Sequence, residues 1–151
     1  MPAACSVSVQ PAPFDAGAEI AALTRGRDDT GAVVCFTGRV RGDGGVLAIE
    51  LEHYPGMTEK ALTAIAAEAA RRWPLTGVRI VHRVGRLAVG EDIVLAAAAS
   101  AHRRAAFEAC EFLMDWLKTR APFWKREFTA GGACWVEAKA SDEAAAARWR
   151  Q

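Results

Sequence analysis

An apolar helical pattern that stops short of a proline is the strongest constraint in this chain. Between Arg104 and Lys118, the residues Ala105, Ala106, Phe107, Ala109, Cys110, Phe112, Leu113, Met114, Trp116 and Leu117 cover nearly every side of a helix. Such a helix is buried on more than one side, between a sheet and other elements or between a sheet and a second subunit. Pro122 is a poor residue for continuing it. Lys118 is therefore expected in the last turn, and Lys125 on an extended segment running back from it. The segment Leu117 to Glu127 holds four cations, two aromatics and one proline within eleven residues. The change of chain direction brings its two lysines towards one another.

The remaining elements follow from periodicity and punctuation. Cys5 to Val9 alternates as a short strand, and Asp15 to Leu23 reads as a short helix with Asp15 as N-cap. Ala32 to Gly38 reads as a buried strand, running through Arg39-Val40-Arg41 into the glycine-dense stretch Gly42 to Gly45. Val46 to His53 resumes strand character, so the pair resembles a hairpin with a flexible tip. Pro55 to Trp73 has helical spacing and ends at Pro74. Val78 to Val84 and Asp92 to Ser100 are strands, as are Phe123 to Phe128 and Cys134 to Ala138 around Gly131-Gly132. Ser141 is the expected cap of a last short helix. The predicted fold class is α+β, with two main helices packed on a mostly antiparallel sheet. A single domain is expected over residues 1–151.

Composition narrows the function classes. A net charge of +1 gives no overall field for nucleic acid or an anionic membrane, so any anion site must be a local gathering of cations. Met1 to Gln10 lacks the basic and apolar regions of a secretory signal, and no apolar run is long enough to span a bilayer. The cytoplasm is the expected location. The four cysteines, Cys5, Cys35, Cys110 and Cys134, form no CxxC pair, and no histidine spacing completes a zinc site. All four are expected to be reduced, with Cys35 and Cys110 buried. No metal or cofactor is expected.

Several residues carry possible chemistry. Lys118 and Lys125 lie near Trp116, Phe123 and Trp124 in sequence, with Arg120 and Arg126 adding charge. Apolar neighbours and nearby cations both lower a lysine's pKa and make a neutral amine accessible, and the same charges suit a phosphate. His102 and Arg103 lie at a strand-to-helix junction, where backbone N–H groups favour anions. Ser100 and His102 have no evident third partner for a triad. Arg39 and Arg41 flank the glycine stretch and read as exposed strand-end charges. His53 and His82 lie within strand patterns and read as structural. Glu50 and Glu52 share one strand face, directed to solvent.

Four stretches carry a family resemblance: Phe36-Thr37-Gly38-Arg39-Val40-Arg41, Leu51-Glu52-His53-Tyr54-Pro55-Gly56-Met57, Ser100-Ala101-His102-Arg103, and Leu117 to Glu127. With these motifs in this order, the chain from Gly31 to Trp149 resembles the large, catalytic subunit family of molybdopterin synthase. The resemblance implies an α/β-hammerhead-like fold and a homodimer. It also implies that each subunit binds a small ubiquitin-like sulfur carrier, giving a heterotetramer. The carrier's C-terminal Gly-Gly thiocarboxylate would supply sulfur to cyclic pyranopterin monophosphate, forming the dithiolene of molybdopterin. The family's functional positions fall on Phe36, Arg41, His102, Arg103, Met114, Lys118 and Lys125, and on Lys139, where the family often has arginine. The Gly42 to Gly45 loop is short for the family.

Two other classes remain open at this level. One is a non-catalytic docking subunit for a ubiquitin-like partner. The other is a lysine Schiff-base enzyme acting alone on a phosphorylated carbonyl compound.

Overall fold

A computed structural model describes residues 2–137 and 139–150. Its elements, in chain order, are β1 (Ala4–Gln10), α1 (Ala16–Thr24), β2 (Ala32–Arg39), β3 (Ala48–His53), α2 (Met57–Arg72), β4 (Leu75–Arg83), β5 (Gly85–Ala88), β6 (Asp92–Ser100), α3 (Arg103–Arg120), β7 (Phe123–Thr129), β8 (Gly132–Val136) and α4 (Ala140–Ala147). The expected α+β class is borne out, but the strands divide into two four-stranded sheets instead of one. The first has the order β1-β4-β6-β2 and the second β5-β3-β7-β8. Among the described residues, only the β1–β4 pairing is parallel.

The expected hairpin between β2 and β3 does not form. Strand β2 pairs with β6, whereas β3 pairs with β5 and β7. The glycine stretch between β2 and β3 contains a 3-10 turn over Asp43–Gly45 and carries the chain from one sheet to the other. Strand β4 makes the same transfer abruptly. It ends at Arg83, and Gly85 starts β5 with φ +90°, a conformation that a side chain would strain.

Strand β6 positions the main helices. Its residues Ala96, Ala97, Ala98 and Ala99 are almost wholly buried, and their small side chains let helices approach the sheet closely. On one face, Val94, Ala96 and Ala98 pack with Val78 and Ile80 against α2 and α3. On the other, Leu95, Ala97 and Val81 meet Leu23 and Ala16 of α1, together with Phe14. The Cys110 thiol of α3 approaches the Ala96 carbonyl at 3.4 Å. Gly31 lets β2 begin beside the β6–α3 junction, because a Cβ there would lie 2.2 Å from the Ala101 carbonyl oxygen.

Helix α3 is buried on more than one side, as its pattern requires, by the sheet, α2 and α4. Phe112 is the largest fully buried side chain. Its ring meets Trp73 at 5.3 Å, Trp116 at 4.5 Å and Trp149 at 5.7 Å. Asp15 caps α1 as expected, accepting from the Ala18 N–H at 2.9 Å. Ser141 does not cap α4. Lys139 holds the N-cap position without a side-chain bond, and Ser141 lies inside the helix. The expected strand end at Ala138 lies outside the described residues. The four cysteines are free, but Cys35 is only half-buried, because β2 is an edge strand. Among the described residues, no helix is long and apolar enough to cross a membrane.

Phe112→Ala should leave a cavity between α3 and the C-terminal Trp149. A loss of about 3–5 kcal/mol is expected from chemical denaturation. A loss below 1 kcal/mol would show that this contact does not hold the C-terminal segment in place.

Candidate functional site

Helix α3 closes with the Ala121 N–H donating to the Leu117 carbonyl at 3.3 Å. The Phe123 N–H then donates to the Ala121 carbonyl at 2.9 Å, and β7 begins. Pro122 sits between them with no N–H to place. Its carbonyl accepts the Thr58 hydroxyl at 3.0 Å, and the same hydroxyl oxygen accepts the Tyr54 N–H at 3.0 Å. Thr58 is fully buried in the first turn of α2. The Phe123 ring stacks on His82 of β4, with centroids 3.8 Å apart and planes inclined by 19°. Two elements therefore hold the corner from different directions.

Lys118 lies in the last turn of α3 and Lys125 on β7, opposite Leu51 of β3 and Val136 of β8. Lys118 is exposed along its side chain, yet enough protein surrounds its ammonium that desolvation lowers its pKa. The nearby Lys125 charge lowers it further, Asp142 opposes the shift, and Lys139 adds a smaller lowering. Lys139 and Asp142 arrive from the start of α4. The structure thus brings Lys118, Lys125 and Lys139 together, with one carboxylate among them. Met114, one turn before Lys118, is half-buried against the core.

The other expected residues lie elsewhere in the chain. His102 is the backbone N-cap of α3 and Arg103 its first residue, both exposed. The length of α3 puts His102 roughly 24 Å and Arg103 roughly 22 Å from Lys118. Ser100 is fully buried and donates to the Pro74 carbonyl at 2.7 Å, a structural role. Phe36 lies on edge strand β2, 40% exposed, with its backbone beside Cys110 in the middle of α3. Arg41 follows β2 and pairs with Asp43 at 3.6 Å in solvent. Arg39 pairs with Asp92 at 3.0 Å.

Three expected neighbours of the lysines turn away from them. Arg126 follows Lys125 on a strand and so points to the opposite face. There it pairs with Glu50 and lies over the rings of Phe128 and Trp135. Trp124 is likewise one residue out of phase, and half of it is exposed. Trp116 packs against Phe112 and lies under the Arg120 guanidinium, whose carbon is 3.6 Å from the ring centroid.

His82 and Thr58 were not expected at the site. The inward alternation of Val78, Ile80 and His82 does signal a buried histidine, and His82 is only 5% exposed. Its Nδ1 lies 2.8 Å from the Arg83 carbonyl, which can only accept, so Nδ1 carries the hydrogen. Burial pushes the His82 pKa down to about 4; the Arg83 bond opposes this, while Lys118 and His53 add to it. A second signal is lysine scarcity. The chain has four lysines against fifteen arginines, and three of the four converge here.

The family model described as MoaE protein matches residues 9–120. A molybdopterin synthase catalytic subunit from Mesorhizobium japonicum is 58% identical over 148 residues, covering 96% of this chain and 93% of its own. Among solved structures, a molybdopterin biosynthesis MoaE protein from Burkholderia ambifaria is 54% identical with a TM-score of 0.84, covering 96% of this chain and 97% of its own. Molybdopterin synthase from Staphylococcus aureus is 34% identical with a TM-score of 0.78, covering 85% and 95%.

The lowered His82 pKa makes stability depend on pH. The unfolded histidine takes up its proton near pH 6.5 and the folded one only near 4, so the unfolded state binds more protons between them. Stability from this group is intact above pH 6.5 and falls by on the order of 3 kcal/mol as pH drops to 4. Urea titrations at pH 7, 5.5 and 4.5 should show His82→Phe losing less stability on acidification than the parent chain. Parallel losses in the two proteins would rule out a buried neutral histidine.

Proposed function

The chain belongs to the MoaE protein family, and from that premise we propose that it is the catalytic subunit of a molybdopterin synthase. It transfers sulfur from the C-terminal thiocarboxylate of a small ubiquitin-like carrier to cyclic pyranopterin monophosphate. For each sulfur, a carbon–sulfur bond to the pterin forms, a carbon–oxygen bond at the same pterin carbon breaks (its oxygen stays on the phosphate as the cyclic ester opens, or leaves as water), and the carrier's acyl carbon–sulfur bond breaks. Water supplies the oxygen, and the carrier leaves as a carboxylate. Two transfers complete the dithiolene. The reading needs no metal or resident cofactor, and its setting is the cytoplasm.

The observation that carries this reading is the lowered Lys118 amine beside Lys125 and Lys139 at the α3–β7 corner. A lysine whose pKa is lowered gives up its proton more readily than an ordinary one, which suits a group that exchanges a proton with, or contacts, the carrier's terminal carbonyl. We assign Lys118 to that direct role, assisting thiocarboxylate attack or acyl release. Lys125 anchors the substrate and stabilises developing negative charge, and Lys139 adds to the cationic rim. Met114 supplies an apolar wall one turn from Lys118. Glycines at the carrier's end suit a narrow slot, because they bring no side chains into it.

His102 and Arg103 lie too far from Lys118 to touch one small substrate in the same protomer. We therefore assign them, with Phe36 and Arg41, to substrate binding in a two-fold homodimer, in which His102 and Arg103 complete the partner's pocket. With one carrier per catalytic chain, the assembly is a heterotetramer. A lysine Schiff-base enzyme would draw on the same lowered Lys118 amine. Borohydride trapping with the pterin, in the absence of any carrier, separates the two chemistries.

Lys118→Ala should lower single-turnover sulfur transfer by roughly 100-fold or more while leaving pterin affinity nearly unchanged. Lys125→Ala should lower both. Lys→Arg should restore Lys125 better than Lys118, because arginine keeps the charge but does not become a neutral amine. Equal losses of pterin affinity in the two alanine variants would defeat this division. Mixing Arg103→Ala with Lys118→Ala chains under subunit exchange should return roughly a quarter of parental activity, since half the dimers then hold one intact site. A mixture as inactive as its parents would exclude the shared pocket.

A further inference from the structure

The lysine pair depends on residues that have no amine of their own. Lys118 is fixed by helix α3, but Lys125 stands on a strand whose first residues must leave the helix at Pro122. The β3 and β8 ladders hold Lys125 opposite Leu51 and Val136, and its approach to the end of α3 depends as well on what holds Pro122 and Phe123, where the ladder begins. Two side-chain contacts from outside the ladder do so. The buried Thr58 hydroxyl donates to the Pro122 carbonyl at 3.0 Å, and its oxygen accepts the Tyr54 N–H at 3.0 Å. The buried His82 ring stacks on Phe123 at 3.8 Å and is itself tied by Nδ1 to the Arg83 carbonyl at 2.8 Å.

We propose that Thr58 and His82 are positioning residues of this site, clamping the Pro122–Phe123 corner from α2 and β4 so that Lys125 stays beside Lys118. The inference deepens the sulfur-transfer reading and rests on it for its functional meaning. Its physical content, however, is a distance between two amines and stands without substrate. Thr58 uses its hydroxyl in both directions, so valine, of nearly the same shape, removes both bonds. Serine retains them. At His82, phenylalanine retains a stacked ring and alanine removes it.

The Lys118 titration reads the clamp directly. The charged groups acting on Lys118 are Lys125 from β7 and Lys139 and Asp142 from the start of α4, and Lys118 in turn acts on His82 of β4. His82 is neutral wherever a lysine titrates. If the clamp loosens, Lys125 moves off, its repulsion fades, and the Lys118 midpoint rises towards the ordinary lysine value of about 10.4.

The experiment is trace acylation of the full chain across pH, with labelling at Lys118 quantified by mass spectrometry. Neither carrier nor pterin is present. Thr58→Val and His82→Ala should raise the Lys118 midpoint by roughly half a unit or more. Thr58→Ser and His82→Phe should stay near the parent. In a Lys125→Ala background, Thr58→Val should add nothing, because the charge it displaces is already gone. In single-turnover sulfur transfer, Thr58→Val should lose at least about tenfold and Thr58→Ser should recover it.

An unchanged midpoint in folded Thr58→Val overturns the proposal, and so does an equal shift with and without Lys125. If Thr58→Val does not fold, the His82→Ala and His82→Phe pair carries the same comparison. A parent chain that shows the labelling pattern but transfers no sulfur refutes the functional reading and leaves the clamp standing.

Discussion

The site depends on a missing hydrogen. Pro122 has no N–H, so α3 ends without an orphaned donor at that position. The two flanking donors are satisfied locally, Ala121 to Leu117 and Phe123 to Ala121. That leaves the Pro122 carbonyl, which a helix would have used internally, and Thr58 of another element takes it up. The chain therefore reverses within three residues with the Ala121 and Phe123 donors and the Pro122 carbonyl all paired. A looser connection would leave the positions of Lys118 and Lys125 independent. Here the end of a rigid helix and the start of a strand held from α2 and β4 set them together.

That corner is only as fixed as the helix behind it, and the helix is fixed by small residues. Strand β6 presents alanines to both faces of its sheet, so α3 and α2 seat on one side and α1 on the other. Larger β-branched residues there would push α3 outward. That displacement would carry its C-terminal lysine away from β7, which belongs to the other sheet. The two sheets meet through short connections, such as Val84 between β4 and β5, so they have little freedom to shift. Aromatic packing of Phe112 with Trp73 and Trp149 anchors the far side of α3 and brings α4 with it. The start of α4 then delivers Lys139 and Asp142.

Local features of this arrangement were legible in the sequence. Strand β6 is readable as Asp92–Ser100, and α2 within two residues, because each has one period bounded by glycine, proline or a junction. The convergence of Lys118 and Lys125 was legible because a proline forbids the alternative. Pairing choices were not. Nothing local says that β2 joins β6 while β3 joins β5 and β7, since the deciding contacts are far apart in sequence. The grouping of Arg126 with the lysines conflicts with strand alternation, which already sends it to the Glu50 side. Lys139 could be named only through family resemblance, because its approach depends on how Trp149 and Arg148 dock α4 on α3. Thr58 gave no signal, since its one distant bond, to Pro122, spans 64 residues.

The division of cations between arginine and lysine follows from the same chemistry. Among the described residues, every ion pair within 4 Å uses an arginine: Arg126 with Glu50, Arg148 with Glu111 and Asp115, Arg72 with Glu68, Arg83 with Glu91 and others. Arginine keeps its charge in such pairs and its planar fork fixes their geometry. It is the less suited residue where surroundings lower the pKa of a cation. Lys118 sits where burial and a neighbouring lysine favour deprotonation and where Asp142 moderates the shift without closing into an ion pair. A carboxylate within contact distance would restore the full charge, whereas its absence would leave three amines repelling one another. Asp142 offsets part of that repulsion at Lys118. An anionic ligand can then supply the attraction that the protein withholds.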